Sequence, residues 1–400
     1  MKSVPPIRGT AETIQKEIIV LGDIEMGGGT LTDDFISDQA LSSLLQSLTL
    51  RKYPLDLILN GDTFDFLKCP YVEPSGEHSY PRHITAEISL AKLKLIYAAH
   101  QPVFDALARF LKTKKNKVFF IIGNHDHDLF FPGVQKEIQR LLGRTKNIFF
   151  CLYYQSDKVY VEHGHQYDFL NKISPRHLFL DYQGKRILNI PWVSFGLISR
   201  FMYIKEENPF LERIKPVQLL FTHHRGILRK LTIHSSLYFL KSFLYYPFRY
   251  YGDPTYAYPK AVVREIYRRI MKVHWEVDEI VRVFKRQRKK KLSEHRVYVL
   301  GHKHKKYLEE KDGWTIIHPD TWRDEYTLDA ETNQLTAKPK MYVQVKVINN
   351  DPRYALVNVP ITRSIWPFEE VVKDELRYIK LAAAEENFRL RLQLRRTERP

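Results

Sequence analysis

The stretch EIIVLGDIEMGGG, Glu17–Gly29, reads as a short apolar strand running into a glycine-rich loop that carries two carboxylates, Asp23 and Glu25. Such a pair is either a solvated turn or part of a metal site, and the rest of the chain decides which. Four other apolar runs end in the same way. LDLILN leads into Gly61-Asp62, KVFFII into Gly123-Asn124-His125-Asp126, KVYVE into His163-Gly164-His165, and RVYVL into Gly301-His302-Lys303-His304. Short runs rich in Val, Ile, Tyr and Phe, bounded by turn residues, read as buried strands. Between them, Leu90, Leu93, Ile96, Phe104 and Leu107 recur at helical spacing within 89–115. Alternating strands and helices predict an α/β layered fold in which ligands collect outside the carboxyl ends of the strands. The polar strand ends then share one site.

Composition supports a folded chain. With 44% hydrophobic and 13% aromatic residues, it has the material for a sizeable core and lacks the signature of disorder. Cys69 and Cys151 are the only cysteines and form no CxxC pair, which argues against a disulfide framework or a zinc ribbon and fits a reducing compartment. They read as small buried residues. The N-terminal segment has no signal-like apolar core, and no run reaches the roughly 18 apolar residues of a membrane span. The expectation is a cytoplasmic protein, peripheral at most to the cytoplasmic membrane face.

The net charge of +17 is concentrated. Residues 188–292 hold 21 Lys plus Arg against 8 Asp plus Glu, with ten aromatics between Tyr238 and Tyr258. The segment interrupts the strand–helix rhythm and reads as a basic, aromatic-rich helical insertion or cap, including a helix from Ala261 onward that ends in KRQRKKK, Lys285–Lys291. The predicted organisation is a discontinuous core of 1–187 and 293–362, the insertion at 188–292, and a charged C-terminal helix within 363–400. Lys and Arg interleaved with rings suit an anionic membrane surface. A solvated cap is the plain alternative, and nucleic acid is the third, disfavoured because no recognised nucleic-acid module accompanies the charge.

Together the strand ends offer the carboxylates of Asp23, Glu25 and Asp62, the amide oxygen of Asn124, and the imidazoles of His163, His302 and His304. A mixed oxygen and nitrogen set of this size suits two divalent ions such as Mn²⁺, Fe²⁺ or Zn²⁺ better than Ca²⁺. Asp62 is the best candidate to bridge them. Two such ions generate hydroxide at neutral pH and stabilise attacking and leaving oxygens at phosphorus. His163 is favoured over His165 as a ligand. His223 and His224 read as structural or surface residues, and Asp33 and Asp34 as a helix N-cap and its neighbour.

In order and type, Asp23-x-Glu25, Gly61-Asp62-x-x-Asp65, Gly123-Asn124-His125-Asp126, His163-Gly164-His165 and Gly301-His302-x-His304 resemble the calcineurin-like metallophosphoesterase superfamily. That pattern is Asp-x-His, Gly-Asp-x-x-Asp, Gly-Asn-His-Asp/Glu, Gly-His or His-Gly-His, and Gly-His-x-His. The resemblance runs from Glu17 to Val347 apart from the basic segment. GGGTLTDDF, LNGDTFDFL, VEHGHQYD and the later DTW look more narrowly like the bacterial branch that includes UDP-2,3-diacylglucosamine hydrolases. The resemblance implies a layered metallophosphoesterase fold in which Asp23, Glu25 and His304 hold a first ion, Asn124, His163 and His302 a second, and Asp62 bridges. It also implies that His125 acts beside the scissile phosphate with Asp65 orienting its ring.

One residue departs from the pattern. Glu25 stands where the family usually has His, adding a negative charge that is expected to shift metal preference before it abolishes activity. The resulting expectation is a hydrolase of a phosphoester or pyrophosphate, with Mn²⁺ as the expected ion and Fe²⁺, Zn²⁺ or Mg²⁺ as alternatives. Its substrate would be a phosphorylated small molecule, nucleotide-linked or lipid-linked, met at a membrane surface. The alternatives are a nuclease using the same centre and a non-catalytic metal-binding protein that docks on a membrane or partner.

Overall fold

The computed structural model describes residues 13–196, 198, 201–256, 277–288, 294–311, 313–391 and 395–396. The strands of its two main sheets are β1 (Ile14–Leu21), β2 (Leu55–Asn60), β3 (Lys117–Ile121), β4 (Ile148–Cys151), β5 (Tyr153–Ser156), β6 (Val159–Glu162), β7 (Val297–Val299), β8 (Lys306–Lys311), β9 (Trp314–Pro319), β10 (Lys340–Ile348) and β11 (Asp351–Val359). The first sheet has the order β11-β10-β1-β2-β3-β4, and the second β8-β9-β7-β6-β5. β1 to β4 are mutually parallel, with antiparallel strands added beyond β1, and β6, β7 and β9 form a parallel centre flanked on both sides by antiparallel strands.

The sheets stack face to face because alternate side chains of each strand point to opposite sides. Ile18, Val20, Ile58, Val159, Val297 and Val343 meet in the dry layer between them. Ile19, Leu21, Leu57 and Leu59 point the other way, into a core closed by α1 (Asp38–Thr49), α2 (Ala86–Ala99), α3 (Gln101–Leu111) and α4 (Pro132–Leu141). Burial on both sides explains why these strands read as unbroken apolar runs. Within this core Phe64 stacks on Phe104 and Phe120, with ring centroids 5.9 and 5.8 Å apart, and so anchors the loop that follows β2.

The basic segment forms several described elements. Helix α5 (Arg225–Leu244) follows shorter helices, and α6 (Val277–Arg288) lays Ile280, Val281 and Phe284 against Tyr160, Tyr298 and Ile316 on the outer face of the second sheet. A small sheet of Ile214–Lys215, Tyr326–Asp329, Gln334–Ala337 and Trp366–Pro367 packs with α7 (Glu375–Glu385), through Phe210, Tyr326, Trp366, Tyr378 and Ile379. Residues 261–276 of the expected long helix, and Lys289, Lys290 and Lys291 of its basic end, lie outside the described residues.

Two local expectations are corrected. The helical pattern over 89–115 is two helices, broken at His100, because Pro102 lacks an N–H and belongs in a first turn. Asp33 is not a helix N-cap. Helix α1 starts at Asp38, whereas the Asp33 carboxylate accepts hydrogen bonds from the backbone N–H of Gly27, Gly29 and Phe35, shaping the glycine loop. His100 then joins Asp33 to Asp38, at 3.0 and 2.7 Å from its two ring nitrogens. Burial works against a charge on this imidazole, but the two carboxylates outweigh it and raise its pKa to about 10. Cys69 is buried and Cys151, at the end of β4, is half-buried.

Candidate metal centre

The turns that follow β1, β2, β6 and β7, and the loop after β3, converge at one edge of the two-sheet stack. Their backbones are unusual: Asp23, Glu25, Asp62, His302 and His304 all have positive φ, between 41° and 76°. Such conformations cost non-glycine residues free energy and persist only where the surroundings hold them. For Asp23 the hold is direct, since its carbonyl accepts from the Trp322 N–H at 3.0 Å and the Thr321 hydroxyl at 2.8 Å. The DTW segment is therefore the brace of the first strand end. Gly61 and Gly123 have a complementary role, because a Cβ at Gly61 would collide with the His163 ring and one at Gly123 with the Asp62 carboxylate.

The expected ligands come together in two groups. His163 Nε2 lies 3.1 Å from Asp62 Oδ2 and 3.2 Å from Asn124 Oδ1, and its Nδ1 donates to the Asn60 carbonyl at 2.9 Å. That hydrogen bond turns Nε2 toward the site. Ligand atoms of Asp62, His163 and His302 lie within 4.8 Å of one another. In the second group, His304 Nε2 is 3.5 Å from Asp23 Oδ1 and 3.3 Å from Glu25 Oε1, while its Nδ1 faces Glu325 Oε1 at 3.3 Å. The Asp23 carboxylate also receives the His302 N–H at 3.1 Å.

The donor set fits divalent cations. Glu25 Oε1 is fully buried yet has no hydrogen-bond partner among the described residues, although such an atom normally has one. It belongs to a concentration of anionic oxygen that draws positive charge from its neighbours. Burial opposes protonation of His163, yet Asp62 overrides this and pulls its pKa up to about 9. His304 is likewise held well above the ordinary imidazole value by Asp23, Glu25 and Glu325, against its burial.

His125 lines a cavity of about 280 Å³ together with Asp62, Asn124, His302, Lys303 and His304. Its Nδ1 is 3.0 Å from Asp65 Oδ1, and its backbone N–H donates to Asp62 Oδ1 at 2.8 Å. Burial lowers its tendency to hold a proton, but Asp65, Glu25 and Asp62 raise the pKa to about 9. In the metal-free site these three carboxylates favour the protonated ring. Asp126, the last residue of its motif, accepts from the N–H groups of Gly123 and Thr63 at 2.6 and 2.9 Å, tying the two loops together.

Sequence reasoning missed a buried ion cluster behind Glu25. Lys68 Nζ lies 3.0 Å from Glu25 Oε2, 2.8 Å from Asp34 Oδ2 and 3.3 Å from Asp65 Oδ2. Arg323 reaches Glu25 Oε2 at 3.4 Å and Asp34 Oδ2 at 2.9 Å. Lys205 and Arg213 also approach Asp34, at 2.7 and 3.6 Å. Asp34 is therefore the hub of four cations rather than a neighbour to a helix cap. Burial would raise both carboxyls, but the cations outweigh it and hold Glu25 and Asp34 well below the usual carboxylate range. The one available signal was a lone lysine within the apolar FDFLKC, since such a charge must be paired if buried.

Two further residues were not anticipated. Asp168 meets His302 Nε2 at 3.1 Å and Lys303 Nζ at 2.9 Å, and Glu325 backs His304. His165 lies near His163, with ring centroids 5.3 Å apart. His224 sits 3.8 Å from Glu375, far along the chain from these motifs, and the side chain of His223 lies outside the described residues.

A family model described as calcineurin-like phosphoesterase matches residues 16–306. No curated protein matches the chain. Among solved structures, the chain is similar to a Staphylococcus aureus protein provisionally assigned as a 5'-nucleotidase and solved with alpha-ketoglutarate. The identity is 12%, with 91% of this chain and 58% of that chain covered and a TM-score of 0.30. Vacuolar protein sorting 29 from Cryptosporidium parvum gives 10% identity over 86% of this chain and 98% of that chain, with a TM-score of 0.25. Phosphopantetheinyl hydrolase from Mycobacterium tuberculosis gives 10% identity, 76% and 89% coverage, and a TM-score of 0.26.

Proposed function

The chain belongs to the calcineurin-like phosphoesterase family, and on that footing we propose that it is a two-metal hydrolase of a phosphoester or pyrophosphate whose substrate is met at an anionic lipid surface. Metal-dependent phosphoester hydrolysis is the chemistry of the family. The observation that carries the finer reading is that His163 Nε2 lies 3.1 Å from Asp62 Oδ2 and 3.2 Å from Asn124 Oδ1, while Asp62 and Asn124 line the same cavity as His125.

In this reading Asp23, Glu25 and His304 would hold one ion and Asn124, His163 and His302 the other, with Asp62 shared between them. The bound ions would supply Lewis acidity at the phosphoryl oxygens and lower the pKa of an attacking water. His125, steadied by Asp65 through Nδ1, gives the proton on its other nitrogen to the leaving oxygen as the bond from that oxygen to phosphorus breaks. Lys303 and Asn171, on the same cavity wall, are placed to meet the phosphate or its substituent. The purified protein, stripped with chelator, is expected to hydrolyse bis-p-nitrophenyl phosphate when Mn²⁺ is restored. No turnover with Mn²⁺, Fe²⁺, Zn²⁺ or Mg²⁺, together with no bound metal, would sink the hydrolase reading.

The lipid surface is supported by α5 and the turn after it. Leu237, Leu240, Phe243, Leu244, Phe248 and Tyr251 are exposed, Phe248 and Tyr251 by 82% and 92%. Lys241 and Arg249 lie among them, and Arg225, Arg229 and Lys230 lie earlier on α5, all exposed. Exposed apolar groups interleaved with cations match an anionic headgroup layer, with rings at the interface. No helix among the described residues is long and apolar enough to cross a membrane. Of the trailing basic run, Lys285 pairs with Glu309 at 2.8 Å and Arg288 with Glu162 at 3.5 Å, so these two cations are less available to a surface than the sequence suggests. Vesicles containing phosphatidylglycerol are therefore expected to retain the protein and to release the Leu240→Glu, Phe248→Glu variant at least tenfold more readily. Equal sedimentation of both would remove α5 as the contact surface.

A further inference from the structure

Glu25, Asp34 and Asp65 each present an oxygen within 4.8 Å of the others, a grouping able to hold a metal ion. The ammonium of Lys68 stands among them, at 3.0, 2.8 and 3.3 Å, and is buried to 3% exposure. Arg323, equally enclosed, approaches the same oxygen of Glu25 at 3.4 Å. The two oxygens of Glu25 thus live in different surroundings. Oε2 is engaged by two fixed cations, whereas Oε1 points toward His304 with no hydrogen bond.

We propose that Lys68 and Arg323 are built-in counter-cations of Glu25. They grip Oε2, leave Oε1 as its single ligand atom, and make the Asp23–Glu25–His304 half of the centre the weaker and later of the two to take up an ion. The proposal rests on the two-ion reading above. It reverses the simplest expectation for a glutamate at this position, where an added negative charge tightens cation binding. Here that charge is already answered at a distance of one hydrogen bond. A divalent ion on Oε1 must share the carboxylate with two neighbours of its own sign, in an interior where such repulsion is weakly screened. On the other half, no Lys or Arg pairs with a proposed ligand among the described residues: Asp62 pairs with His163, a neutral imidazole once it ligates, and Lys303 pairs with Asp168 instead. Lys68 and Arg323 are positioning residues, since they touch a ligand and no reacting atom.

The test is a Mn²⁺ titration of the chelator-stripped full chain, followed by calorimetry and by electron paramagnetic resonance. Wild type is expected to bind one ion at least tenfold more tightly than the second, with an isolated-ion spectrum at one equivalent and spin coupling only as the second loads. Asn124→Ala should remove the tight step, assigning it to the Asn124 half. Lys68→Met, which keeps the stem and leaves Asp34 with Lys205, Arg213 and Arg323, should tighten the weak step about tenfold and leave the tight step unchanged. Glu25→Gln, which keeps the shape and cuts the charge, should loosen the weak step by a similar factor. Opposite shifts from the two variants are not what a general loss of packing produces. If Lys68→Met fails to fold, the wild-type steps and Glu25→Gln still decide. Two equal steps in wild type, or a variant that moves the tight step instead, would overturn the proposal. Failure to bind any ion would instead overturn the two-ion reading on which it stands.

Discussion

Replacing His125 with alanine is expected to lower turnover about 10²- to 10⁴-fold, the range set by losing a positioned proton donor, while the number of bound metal ions stays the same. The separation of the two readouts is the point of the experiment. His125 shares the cavity with Asp62 and Asn124, but its ring is tied to Asp65 and its backbone N–H to Asp62, so the residue is anchored without filling a place among the proposed ligands. The deficit should shrink for esters whose leaving group departs readily as an anion, because those need little help from an acid. A substrate-independent loss, or a loss of bound metal, would mean that the ring does not protonate the leaving oxygen. Asp65→Asn should follow the same pattern more mildly, since it turns the ring loose without removing it.

The largest effect on stability is expected at Asp34, a residue that touches no proposed ligand oxygen. Asp34→Ala should destabilise the fold by about 3–5 kcal/mol, the cost of leaving buried cations without their partner. Lys68, Lys205, Arg213 and Arg323 all turn toward this carboxylate, and each is almost fully enclosed. Without it, among the described residues Lys68 keeps ion pairs with Glu25, Asp65 and Glu212, Arg323 with Glu25 and Glu212, and Lys205 with Glu212. Urea denaturation of Asp34→Ala beside Asp34→Asn measures the charge and the hydrogen bonds separately. A loss below about 1 kcal/mol for the alanine variant would show that water enters the cluster readily and that the cations do not depend on this carboxylate.

Much of the fold could be read from the chain because parallel strands buried on both faces carry their own labels. β1, β2, β3, β6 and β7 are short apolar runs that end at turn residues, and the polar groups after them are brought together by any sheet of this kind. The candidate ligands follow from that local pattern. Sheet order did not: β7 lies between β6 and β9, and neither run says so. Nor did the environment of Asp34 and Glu25. Their partners come from four separate stretches of chain, so no spacing announces them, and turn propensity offered the nearer explanation for an aspartate after GGGTLT. The break at His100 was hidden for the opposite reason, since α2 and α3 share an apolar core and the periodicity carries across the junction.

The adjacency of β6 and β7 has a consequence for how the chain reaches its final shape. Val159 pairs with Val297 and Val161 with Val299, so the centre of the second sheet cannot form until the whole basic segment has been drawn into a closed loop. Loop entropy itself grows slowly, each doubling of length costing about 0.6 kcal/mol, yet such distant pairings raise contact order and slow folding. The first sheet has no such obstacle along β1 to β4, whose partners follow one another in sequence. Assembly should therefore be polarised, with the half bearing Asp23, Asp62 and Asn124 organised before His163 and His302 are brought to meet it. On a ribosome, the candidate metal centre becomes complete only after the second half of the chain has emerged.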